Sequence, residues 1–126
     1  LHRSRRLRIY LIFSILSILF EIGCSTSHQP IEIQHQSKFA FKAYEAQLWN
    51  EAVFRWNRVL QIDPKYAAAY NNLGVAYEAL GKIDAALQAY ETATELDSDN
   101  KFYRFNYRRC RFSRRVAEME NHESKD

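Results

Sequence analysis

Four histidines, two cysteines and one pair of acids a helical turn apart are the residues of this chain with the chemistry for catalysis or metal binding. His2, His28, His35 and His122 are scattered from one end to the other, and Cys24 stands far from Cys110. No CxxC pair, HExxH helix, glycine-rich phosphate loop or GxSxG turn joins them into a site. Glu91 and Glu95 are spaced as two residues of one solvated helix face. The sequence therefore predicts no enzyme, no cofactor and no metal site. What remains is the chemistry of contact. Seven cations and no acid stand between Lys101 and Val116, with phenylalanines among them. At 100° per residue, Phe102, Phe105, Phe112 and Val116 fall within about 80° of one another, and Tyr103, Tyr107 and Cys110 lie on another side. A helix here carries two apolar stripes separated by arginines. One stripe docks on the rest of the fold, with Cys110 as a buried small hydrophobe. The other lacks a partner within the chain, and such a surface marks an interaction.

The elements that position these residues follow from charge and patterning. The chain has 126 residues and a net charge of +3, enough for one small domain. Residues 1–23 hold four arginines and one acid, residues 24–100 six basic and ten acidic residues, and residues 101–126 eight basic and four acidic ones. General polyanion binding does not fit this alternation; a local basic patch at the C-terminal end does. At the other end, four arginines within His2–Arg8 precede Ile9–Phe20, apolar except for Ser14 and Ser17. A basic start and an apolar run of roughly 7–15 residues describe a secretory signal. The run falls short of the about 20 residues of a membrane span. Residues 1–23 are thus expected to be a signal peptide or signal anchor, and residues 24–32 a polar tether.

A 34-residue offset organises the remainder. Ala52 falls on Ala86, Trp56 on Tyr90, Val59 on Ala93, Ile62 on Leu96 and Asp63 on Asp97; Phe39 falls on Leu73 and Ala40 on Gly74. Helices are expected at about Ile31–Gln47, Asn50–Ile62, Tyr66–Leu80, Ile83–Leu96 and Asp99–Glu120. Pro64 stops the second helix, Gly81 closes the third in a left-handed cap, and Asn50 and Asp84 are placed to cap the second and fourth.

In Ala67–Asn100, the series Tyr70, Leu73, Gly74, Tyr77, Ala86, Tyr90 and Ala93 resembles the tetratricopeptide repeat. Ser98 departs from it, standing where proline is usual. The resemblance implies an all-α fold: two helix-turn-helix repeats, 33–66 and 67–100, and a long capping helix with an acidic end over 101–126, forming a short right-handed α-solenoid. Gly74 and Ala86 are read as the close crossing of the second repeat's helices, with Tyr77 and Tyr90 filling the volume beside it. The run Ile22, Gly23, Cys24 resembles the end of a bacterial lipoprotein signal, although Glu21 stands where that pattern has leucine. It implies lipidation of Cys24 and a domain outside the cytoplasm, anchored at a membrane of the bacterial cell envelope.

Repeats of this family grip proteins on the concave surface of their first helices. Carried onto this chain, that surface offers Ser37, Phe41, Tyr44 and Glu45 from repeat one, Asn71, Asn72, Val75 and Glu78 from repeat two, and Phe102, Phe105, Arg109 and Phe112 from the closing helix. The expected function is an adaptor that holds a partner segment in an apolar groove of Phe41, Tyr44, Val75, Phe102, Phe105 and Phe112, with Arg109 as a handle for a partner carboxylate. The alternatives are a homodimer contact through the same phenylalanines, and membrane-surface or polyanion binding through the arginines. Export leaves nucleic acid out. Family members that clamp acidic chaperone tails carry lysines where this chain has Ser37 and Phe102, so no such clamp is expected.

Overall fold

The computed structural model describes residues 30–123, and among them every regular element is a helix. The helices are α1 (Ile31–Glu45), α2 (Trp49–Ile62), α3 (Ala67–Ala79), α4 (Ile83–Leu96) and α5 (Lys101–Glu123). Each packs chiefly on its neighbours in the chain, which is the arrangement of a short α-solenoid. The expected signal segment, Cys24 and the last three residues lie outside the described residues.

The helix boundaries repeat because the same hydrogen bonds repeat. At the end of α1, the Gln47 N–H donates to the Tyr44 carbonyl and the Leu48 N–H to that of Ala43. At the end of α3, Gly81 donates to Glu78 and Lys82 to Tyr77. Both are Schellman caps, closed by a left-handed residue, Gln47 at φ 57° and Gly81 at φ 70°. Glycine takes that conformation freely, whereas Gln47 holds it at a cost of roughly 1–2 kcal/mol.

The expected caps at Asn50 and Asp84 are not formed. Leu48 and Lys82 occupy the N-cap positions, without a side-chain cap bond. The reason is economy of chain: the residue that completes the preceding Schellman cap is already the N-cap of the next helix. Asn50 and Asp84 fall inside the first turn, where Asp84 still meets the positive end of the α4 dipole.

The connections between repeats also match. Asp63 and Asp97 are extended, and their carbonyls accept from the N–H groups of Tyr66 and Asn100. Ser98 in place of proline therefore leaves the turn intact. Asn100 then opens α5, its side-chain oxygen accepting from the N–H groups of Phe102 and Tyr103.

Small residues set the helix spacing and large ones lock it. Ala43, Ala52 and Ala76 meet where α1, α2 and α3 approach. Ile33, Ala40, Trp56, Val59, Ala69 and Leu73 form the main core, and Ala86, Leu87, Tyr90 and Cys110 join α4 to α5. Tyr90, expected to fill the volume beside the Gly74 crossing, lies directly on that glycine: a β-carbon there would stand 2.5 Å from two of its ring atoms. Tyr77, expected to fill the same volume, is only half-buried.

That contact makes Gly74 replaceable only at a cost. Overpacking a core takes roughly 1–3 kcal/mol, and the helix-propensity gain of alanine over glycine returns about 1. Gly74→Ala is expected to lower the thermal unfolding midpoint by several degrees. In a Tyr90→Leu background the same substitution should cost clearly less; an equal loss in both backgrounds would rule out the ring as the cause.

Candidate functional site

The concave side of the solenoid is built from α1, α3 and α5, and it is not one continuous apolar groove. Phe41 and Tyr44 of α1, Asn72 and Val75 of α3, and Trp56 of α2 enclose a hollow of about 120 Å³. Phe41 and Tyr44 are one turn short of each other on α1 and both are exposed. Each is braced edge-on by a tryptophan: Phe41 by Trp56 at 5.1 Å, Tyr44 by Trp49 at 5.2 Å between ring centres. The hollow is therefore pre-shaped. Its volume lies well below the ~300–1,000 Å³ of small-molecule sites and suits a single apolar side chain.

Beside it runs a polar seam between α3 and α5. The Asn106 amide donates to the Asn71 side chain at 2.8 Å. Arg109 donates twice to the carboxylate of Glu78, at 2.5 and 3.1 Å. The same carboxylate accepts from the hydroxyl of fully buried Tyr90 at 2.6 Å. Burial first, and then the bond to Glu78, pushes the Tyr90 phenol far above its ordinary value. The Glu78 hydrogen bonds raise the Arg109 guanidinium further. Cys110 is buried beside this group, and burial followed by the Glu78 charge raises its thiol to about 11.

The sequence-derived candidates thus divide into three sets. Phe41, Tyr44, Asn72 and Val75 share the hollow. Asn71, Glu78 and Arg109 are committed to one another or to α5, so Arg109 is no free handle: a carboxylate of its own chain already holds it. Phe102, Phe105 and Phe112 are 68, 63 and 68% exposed and stand outside the hollow. Glu45 is exposed, and the Ser37 hydroxyl is buried without a hydrogen-bond partner. Trp56 is not among the residues the sequence singles out for the site; it is both core and the floor of the hollow, and no sequence signal separates the two. Met119 continues the line of Phe105 and Phe112, a continuation that helical spacing alone would have revealed. A wider trough lies between α2 and α4, floored by Tyr70, Leu73 and Tyr77 of α3. Among the described residues no cluster of His, Cys, Asp or Glu has the geometry of a metal site.

The Tetratricopeptide repeat family profile matches residues 67–100, and a TPR repeat profile matches residues 43–81. Residues 43–100 carry tetratricopeptide repeats. Over 86 residues it is 34% identical to the anaphase-promoting complex subunit 3 of Dictyostelium discoideum, a match covering 64% of this chain and 9% of that protein. Over 83 residues it is 30% identical to the heat shock protein STI1 of Saccharomyces cerevisiae, covering 66% of this chain and 14% of that protein. The chain thus spans a small part of the curated relatives it matches. Among solved structures it resembles a chain in a type III secretion (T3SS) complex from Aeromonas hydrophila, with a TM-score of 0.64 and 21% identity over 88% of this chain and 75% of that one. That likeness concerns the fold. Tetratricopeptide repeats mediate protein–protein contacts through surfaces of this kind.

The seam yields a pH test. A thiol raised on folding stabilises the fold in full below its ordinary value of 9.0, and that stability is lost as pH rises through about 11. Tyr90, raised too, acts in the same direction. The unfolding midpoint is expected to fall steeply above pH 9, and less so in Cys110→Ala. Iodoacetamide should modify Cys110 only under denaturing conditions; equal rates in native and denatured protein would contradict its burial.

Proposed function

We propose that this chain is a non-enzymatic adaptor that holds an apolar side chain of a partner protein in the hollow of Phe41, Tyr44, Val75 and Trp56. The observation that carries this reading is the pair of exposed aromatic rings fixed in place by tryptophans over that hollow. Exposed aromatics held rigid contribute binding area at little entropic cost, and anchors that fill pockets dominate the energetics of such interfaces. Asn72, at the rim, supplies a polar contact to a partner backbone. The partner segment is extended or helical, with an apolar residue at its centre. Arg109 plays no direct part, because Glu78 occupies it.

The proposal extends to location. The basic start, the apolar run and the Ile22-Gly23-Cys24 sequence support a lipid anchor at a bacterial envelope membrane, with the repeats outside the cytoplasm. Two or more acyl chains hold a protein stably at a bilayer where a single one does not. The adaptor would then recruit its partner to the membrane surface.

Two measurements test this. A photo-crosslinking side chain at Val75 in the native cell should yield a protein adduct, and Phe41→Ala should weaken capture of that protein by roughly 30-fold, the scale of an interface anchor worth about 2 kcal/mol. No adduct at Val75 would remove the groove reading. Cys24→Ser should move the protein from the membrane fraction and abolish incorporation of labelled palmitate; retention of both would remove the lipid anchor.

A further inference from the structure

The outer face of α5 is unused by the groove reading, and its chemistry is specific. Tyr107 and Cys110 dock the helix onto α4, half-buried Tyr103 lies on the same side, and Tyr107 donates to Glu91 at 3.0 Å. Opposite that stripe, Phe105, Phe112, Val116 and Met119 fall within about 60° at 100° per residue. Phe105, Phe112 and Met119 are strongly exposed. Immediately beside them, Arg104, Arg108, Arg111 and Arg115 fall within another sector of about 60°. Arg108 and Arg115 are exposed and have no acidic partner among the described residues. The other arginines of the helix are engaged: Arg109 with Glu78, Arg114 with Asp84 and Glu118, Arg104 with the Ser98 carbonyl, and Arg111 over the Tyr107 ring.

We infer that this face of α5 lies on an anionic phospholipid surface, with the phenylalanines in the acyl boundary and Arg108 and Arg115 among the headgroups. The occupant must be apolar along one line and negative along the next, over the roughly 26 Å from Phe102 to Met119 at 1.5 Å per residue. The face belongs to a single helix and carries an open hollow among Phe112, Arg115 and Met119; a fluid bilayer fills such a hollow and contacts the helix along its whole length. A basic amphipathic helix with phenylalanines on its apolar side is built to lie in that interface. Among the described residues no helix is long and apolar enough to cross a membrane. The inference is independent of lipidation at Cys24 and of the hollow, since it uses neither.

The test uses the full chain with vesicles of equal parts phosphatidylglycerol and phosphatidylcholine, some carrying a spin-labelled lipid. Because the N-terminal residues can also touch lipid, the readout is local: paramagnetic broadening of individual side-chain resonances. The rings of Phe105 and Phe112 should broaden far more than those of Tyr90 and Trp56. Arg108→Gln with Arg115→Gln should weaken this contact about 30-fold, or about fivefold per arginine, and high salt should do the same. Lysine at both positions should restore it. Phe41→Ala with Val75→Ser should leave it unchanged, which separates this inference from the groove reading. Three results overturn it: no preferential broadening; binding of soluble polyglutamate, with no broadening on vesicles, that Phe105→Ser with Phe112→Ser leaves intact; or a dimer in sedimentation that the same phenylalanine pair converts to monomer.

Discussion

The ring of Tyr90 lying in the seat left by Gly74 is the contact on which the second repeat and the closing helix both depend. A full side chain of this size, removed from water, contributes roughly 1.5–3 kcal/mol, and Tyr90 is wholly buried. Its hydroxyl cannot reach water, so it must find an acceptor inside. Glu78 is that acceptor. Having been drawn to the seam, Glu78 also receives Arg109. The half-exposed guanidinium limits this ion pair to about 1 kcal/mol, but its geometry is bidentate and sets where α5 lies. One glycine thus leads through a tyrosine and a glutamate to the orientation of a helix more than thirty residues away.

The repeat explains how the described helices stack. Ala69, Leu73 and Ala76 dock α3 onto α2; of the residues 34 positions later, Tyr107 and Cys110 dock α5 onto α4 and Tyr103 is half-buried. The face that takes the partner helix is Tyr70, Gly74 and Tyr77 in α3. In α5 the same positions are Arg104, Arg108 and Arg111. Arginines are costly to bury there without partners, and among the described residues no helix packs on that face. At the opposite end, α1 presents His35, Phe39 and Lys42 at its corresponding docking positions. Phe39 is shielded there by the edge of His35 and by the cations of Lys42 and Arg55 over its ring.

The concave side accordingly separates into an apolar hollow and a polar seam, with the α5 ridge beyond them. The seam is structural: it fixes the third first-position helix against the second. The hollow and the ridge are what remain for partners, and they differ in kind. The hollow is concave, small and braced, as befits one inserted side chain. The ridge is convex, long and cationic, as befits a surface.

Much of this was readable from the chain alone. The 34-residue offset predicts four helices to within a residue or two at most ends, because small residues recur wherever helices must approach. The alternation of Tyr103, Tyr107 and Cys110 predicts the docked face of α5, since helical periodicity depends only on local geometry. The left-handed cap at Gly81 follows likewise from residue type, although its twin at Gln47 does not: glutamine carries no signal for it, and the Schellman bonds of the neighbouring helix impose it. Side-chain pairing across helices was not readable. That Glu78 would take Arg109 and that Trp56 would floor the hollow depend on distances between residues 12 to 31 positions apart. Such distances are set by the crossing of packed helices, which no pattern along one helix contains.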